Sequence, residues 1–175
     1  MNKIYFAGPW FTKAQAEREQ RLIKKLRELG FNVFSPRENS NITGSFADPS
    51  IQKATFEDNI VNIDSCDILF AVTDGKQGIC TEDDQAGKFM SAIDAGTMIE
   101  AGYAYCLKRK SGKAPIIVYY AETLGNKGFN LMLAQSADIV ITNYEDLNAL
   151  PSMIENSEKT VYTGLIEWGY NERFW

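Results

Sequence analysis

The sequence predicts an α/β fold in which a doubly wound, five-stranded parallel sheet carries helices on both faces. Three observations predict it. Short apolar runs alternate along the chain with charge-rich stretches of helical period. The run CDILFAV (residues 66–72) is almost continuously apolar, the pattern of a strand buried on both faces. No internal repeat divides the 175 residues, so 1–175 reads as a single domain.

Each element follows in order. KIYFAG (3–8) is a short apolar run broken by Gly-Pro, which makes it a buried strand and its loop. Residues 13–29 are charge-rich, with Leu22, Ile23, Leu26 and Leu29 in one stripe and Gly30 placed to cap a helix C-terminus. FNVFSP (31–36) is a second strand stopped by proline, and residues 35–50 read as a polar loop. Phe56, Ile60 and Ile63 mark a second amphipathic helix leading into CDILFAV. Residues 74–93 hold three glycines and mixed charge without a period, so they read as a long loop, the candidate lid. A helix through Glu100, a strand in APIIVYY, a short segment around FNLMLAQS, a strand in DIVIT and a helical EDLNAL complete the pattern. Five strands in this alternation suggest a flavodoxin-like order.

Composition narrows the function. The net charge of −5 argues against nucleic acid and against an anionic membrane, both of which reward an excess of Lys and Arg, and leaves small molecules as the expected ligands. No stretch approaches the ~20 apolar residues of a membrane span. Cys66, Cys80 and Cys106 lack metal-type spacing, and two of them lie in apolar runs, which suits a reducing cytoplasmic setting. No leader-type segment is read at the N-terminus. The chain has no histidine, so acid-base chemistry falls to carboxylates, Tyr, Lys or Cys.

In a sheet of this kind ligands bind at the carboxyl ends of the strands. That edge collects the Gly8-Pro9-Trp10-Phe11 turn, the Asn39 loop, the loop 74–93 and the entry to the Glu100 helix, with Asp94 and Gly96. Glu100 stands in DAGTMIEAGYAYCLKR (94–109), among residues that otherwise favour burial, and an unpaired buried carboxylate costs several kcal/mol. It therefore needs a partner or a cavity that uses its charge. Asp94 lies less than two helical turns away, so both carboxylates can face one cavity, although an N-cap role for Asp94 and a solvent-facing or ion-paired Glu100 remain open. Two carboxyl groups flanking an anomeric carbon can serve as nucleophile and proton donor in glycosyl transfer. Trp10 and Phe11 can stack a planar ring or join the core, and the acidic TEDD at 81–84 reads as a solvated loop. No Gly-Lys-Ser/Thr follows the GxxxxG spacings, so a P-loop is unsupported.

KIYFAGPWF, DNIVNIDSCDILFAV (58–72), DAGTMIEAGYA (94–104) and GFNLML (128–133) occur in the order of motifs in the nucleoside 2-deoxyribosyltransferase family, which the chain resembles. The segment around Glu100 resembles the D-x-G-T-x-x-E-x-G signature. The resemblance implies that Glu100 is the nucleophile, that Asp94 lies against the base and helps protonate it, and that Tyr5 orients the Glu100 carboxylate. It implies that Trp10 lines the base pocket and that Asn59 stands where some members carry Asp. Gly8, Asn39, Gly96 and Met132 join the expected substrate-binding set. Asn130 would reach the sugar of a neighbouring subunit's site, which makes the chain an expected homo-oligomer, and the aromatic tail ending at Trp175 is a further candidate contact. Deoxyribonucleosides and nucleobases are the implied partners, with no cofactor and no metal. A nucleoside 5'-monophosphate glycosidase is the nearest rival, but its relatives place Ser and Arg in the first loop, where this chain has Gly-Pro-Trp-Phe-Thr. A non-catalytic nucleotide-binding module is the third reading.

Overall fold

Alternation along three central strands divides the interior into two cores, one on each face of the sheet. In the computed structural model, which describes residues 1–74, 93–112, 115–122 and 129–156 and the backbone of 166–167, these are β1 (Lys3–Ala7), β3 (Ile68–Val72) and β4 (Ile116–Tyr120). With β2 (Asn32–Phe34) and β6 (Ile139–Ile141) they form a parallel sheet of order β2-β1-β3-β4-β6, the flavodoxin-like arrangement predicted. Ile4, Phe6, Ile68, Phe70, Val118 and Tyr120 pack on one face, and Tyr5, Ala7, Leu69, Ala71, Ile117 and Tyr119 on the other. Because side chains alternate with period two, a one-residue slip of β1 would turn Tyr5 to the opposite face.

Helix α1 (Lys13–Glu28) covers the first face with Leu22, Ile23 and Leu26. Thr12 and Gln15 start it with a reciprocal capping box, and Gly30, at φ 90°, ends it where a side chain would be strained. Helices α3 (Pro49–Asp64) and α4 (Ala95–Ser111) cover the second face, through Ile63, Ala101 and Ala104. A 3-10 turn (Tyr144–Ala149) and α6 (Leu150–Glu155) complete the first face. A small parallel pair joins β5 (Phe129–Asn130) to β7 (Ile166–Glu167), and α5 (Leu131–Ser136) follows β5 directly. Among the described residues no helix is long and apolar enough to cross a membrane.

Several expectations change in detail. The loop expected at 35–50 contains a short helix, α2 (Pro36–Asn39), and the start of α3, each with proline at its first position, where a missing N–H costs nothing. Asp48 caps α3 by accepting from Ser50 N. Phe56, expected on the buried stripe of α3, is 55% exposed. It lies seven residues before Ile63, roughly 10 Å back along the axis, on a stretch whose inward positions are taken by Asp58 and Asn59. Cys106 is exposed while Cys66 is buried, because α4 turns only one stripe to the sheet. Nearly all of the loop 74–93, Cys80, and the tail that ends at Trp175 lie outside the described residues.

Candidate active site

Tyr5 is fully buried in mid-strand, its ring stacked 5.8 Å from Phe34, and its side chain projects from the sheet toward α3 and α4. The hydroxyl donates to Glu100 Oε1 at 2.6 Å. From α3, Asn59 Nδ2 approaches the same oxygen at 3.5 Å. The carboxylate that looked out of place in the sequence therefore has two neutral donors. Burial dominates its electrostatics and pushes its pKa up to about 7, helped by the charge of Asp94 and opposed by the Tyr5 hydrogen bond. Burial and the neighbouring Glu100 charge raise the Tyr5 hydroxyl far above its usual range, so Tyr5 acts as a fixed donor.

Asp94 is the N-cap of α4, its Oδ2 accepting from Thr97 N at 2.7 Å and Thr97 Oγ1 at 2.9 Å. Capping does not remove it from the site, since its charge acts on Glu100. Gly96 leaves space for that cap: a Cβ there would stand 3.1 Å from Asp94 Oδ2. Gly8 lets the loop after β1 pass close to β3, because a Cβ would meet Phe6 and Val72 at 3.2 Å. Trp10 follows, partly buried and stacked on Phe11 at 5.9 Å, and Phe11 is 74% exposed.

The structure thus gathers Tyr5, Asn59, Asp94 and Glu100. It gives other expected residues local roles within this one chain. Asn39 ends α2 and is exposed, with Oδ1 accepting from Ser35 N at 2.9 Å. Asn130 caps α5, its Oδ1 accepting from Met132 N and Leu133 N, and the Met132 side chain stands in the open. One residue was missed: Asp58, beside Asn59, has a buried Oδ2 without a hydrogen-bond partner and a charge that acts on Tyr5. Its only signal was a second polar residue next to Asn59 in DN, off the Phe56, Ile60, Ile63 stripe expected to be apolar.

A model of the family described as nucleoside 2-deoxyribosyltransferase matches residues 4–134. The chain belongs to that family. The matched segment contains Tyr5, Asn59, Asp94 and Glu100, and also Asn130. Among solved structures, a 2-deoxyribosyltransferase from the psychrotolerant bacterium Bacillus psychrosaccharolyticus is similar at 27% identity, with a TM-score of 0.63 over 83% of this chain and 90% of that one. A 2-deoxyribosyltransferase from Leishmania mexicana shares the fold at 21% identity, with a TM-score of 0.54 over 89% of this chain and 98% of that one. No curated relative matches the chain significantly.

Proposed function

We propose that the protein transfers 2-deoxyribose between nucleobases by double displacement through a deoxyribosyl ester on Glu100. The observation that carries this reading is the Glu100 carboxylate, held on Oε1 by Tyr5 within a segment matched by the family. In the first half-reaction a Glu100 oxygen bonds to the anomeric carbon as the carbon–nitrogen bond breaks. The electron pair leaves with the base, and Asp94, lying against the base, assists delivery of its proton. In the second half-reaction the nitrogen of an incoming base bonds to the same carbon, the ester bond breaks, the carboxylate is restored and the proton leaves by the reverse route. Two inversions retain configuration, and the kinetics are ping-pong. Low local dielectric strengthens the attraction between the carboxylate and the oxocarbenium-like transition state.

The reading requires no metal or cofactor, because two carboxyl groups and a tyrosine supply the groups needed. Trp10, Gly8 and Gly96 line the base side, with Asn39 and Asn59 as further substrate contacts. The chain acts as one domain in a cytoplasmic homo-oligomer, in which Asn130 and Met132 complete a neighbour's site. The exposure of Phe56, Val61 and Ile99 on the neighbouring helices α3 and α4 supports association, since exposed apolar groups on neighbouring elements favour a covering partner.

Incubation with 2'-deoxyinosine and free adenine or cytosine tests the reaction. Stoichiometric formation of a new deoxynucleoside with release of hypoxanthine is expected. Release of hypoxanthine with free deoxyribose alone would make the protein a hydrolase.

A further inference from the structure

Among the described residues, Glu100 receives two hydrogen bonds, and both fall on one oxygen. Tyr5 reaches Oε1 from β1 at 2.6 Å, and Asn59 Nδ2 reaches it from α3 at 3.5 Å. Two donors on separate elements restrict rotation of the carboxyl group more than either does alone, and Oε2 is left without a donor. We infer that Asn59 is a positioning residue that works with Tyr5 to hold Glu100 by Oε1, leaving Oε2 as the attacking oxygen. This inference rests on the nucleophilic role proposed above for Glu100.

The amide orientation supports it. An ionised carboxylate only accepts hydrogen bonds, so Asn59 must turn Nδ2 toward it. That orientation leaves Asn59 Oδ1 buried without a hydrogen-bond partner. Buried polar groups in native proteins are seldom left in this state, so in this orientation the amide faces Glu100 while its own oxygen goes unmatched.

The surroundings explain why a neutral donor is needed. Asp94 at the entry to α4 raises the cost of a charge on Glu100, and among the described residues no cation acts on it. Asp58 on α3 and Cys66 before β3 border Tyr5 and oppose ionisation of its hydroxyl. Tyr5 and Asn59 are thus the two groups that donate directly to the carboxylate. A carboxylate at position 59 would bring a further like charge against Glu100, in a site already bordered by two.

A carbon-13 NMR titration of protein labelled at glutamate side-chain carboxyls tests the inference without substrate, with the Glu100 signal assigned by its loss in Glu100→Gln. The Glu100 midpoint is expected to rise by about one pH unit or more in Asn59→Asp and by about half a unit in Asn59→Ala, as a new like charge and a lost donor require. The acid limb of kcat/KM should move with it. Unchanged midpoints in both variants would overturn the inference, and so would a change confined to KM or base preference. Asn59→Ala alone decides the matter if Asn59→Asp fails to fold. Shifted midpoints in the Asn59 variants of a protein whose wild type transfers no deoxyribose would retain the Asn59–Glu100 coupling and remove the reaction proposed above.

Discussion

Tyr5 Oη and Glu100 Oε1, 95 residues apart in sequence, meet at 2.6 Å between strand β1 and helix α4. The bond joins a fully buried phenol, whose proton is held by burial and by the carboxylate's own charge, to a carboxyl group whose pKa stands at about 7. It lowers the cost of ionising Glu100 and fixes which oxygen is held.

Tyr5→Phe keeps the ring packing against Phe34 and removes only the donor. Hydrogen bonds to charged groups contribute about 1.5–3 kcal/mol, so kcat/KM is expected to fall roughly 10- to 100-fold. The acid limb of the pH profile should move upward, because the bond that favours the charged form is gone. A variant with wild-type rate and an unmoved limb would remove the orienting role from Tyr5.

Glu100→Gln is expected to abolish transfer while stabilising the fold. The folded pKa of about 7 lies above the ordinary 4.5, so the native state holds the proton more tightly than the unfolded chain does. Below pH 4.5 the group is protonated in both states and costs nothing. Between pH 4.5 and 7 stability declines as pH rises, and above 7 the full penalty, about 3 kcal/mol, applies. Denaturant unfolding at pH 4 and pH 8 checks this: the gain from Gln should appear at pH 8 and vanish at pH 4. Wild-type kcat/KM should likewise fall below about pH 7, where the nucleophile becomes protonated. Transfer above a few per cent in Glu100→Gln would exclude the nucleophile assignment.

Asp94 has two tasks that substitution can separate. Asn is as good an N-cap as Asp, so Asp94→Asn should leave Tm close to wild type, whereas Asp94→Ala should cost about 1 kcal/mol. Both should lower kcat if the carboxyl group assists the leaving base. Full activity in Asp94→Asn would reduce Asp94 to its cap.

Subunit mixing tests the shared site. Glu100→Gln and Asn130→Ala are each expected to be inactive alone, yet hybrids refolded or co-expressed together should regain part of the wild-type rate, since some sites then receive a wild-type Glu100 from one chain and a wild-type Asn130 from the next. No recovery in verified hybrid oligomers would confine Asn130 to capping α5.

Much of this was legible in the chain. The apolar runs at 3–8 and 66–72 and the stripe Leu22, Ile23, Leu26 report local periodicity, and local periodicity is what distinguishes a buried strand from an amphipathic helix. Glu100 was conspicuous because its neighbours are apolar. The short helix Pro36–Asn39 and the Asp48-Pro49-Ser50 start of α3 were obscured by a polar composition that a loop shares with a capped helix entry.

By itself the sequence determined the alternation of strand and helix, the motifs and their order, and the presence of an acid that needed a partner. Only the tertiary structure decided which partner. Tyr5, Asn59 and Glu100 stand on three elements, and their meeting depends on the parity of β1 and on how α3 and α4 lie against the sheet. The same packing left Phe56, Ile99 and Cys106 outside the core despite their apolar settings. Periodicity records which residues share a face of one element, whereas the sheet's register and the packing of helices across it determine what stands opposite that face.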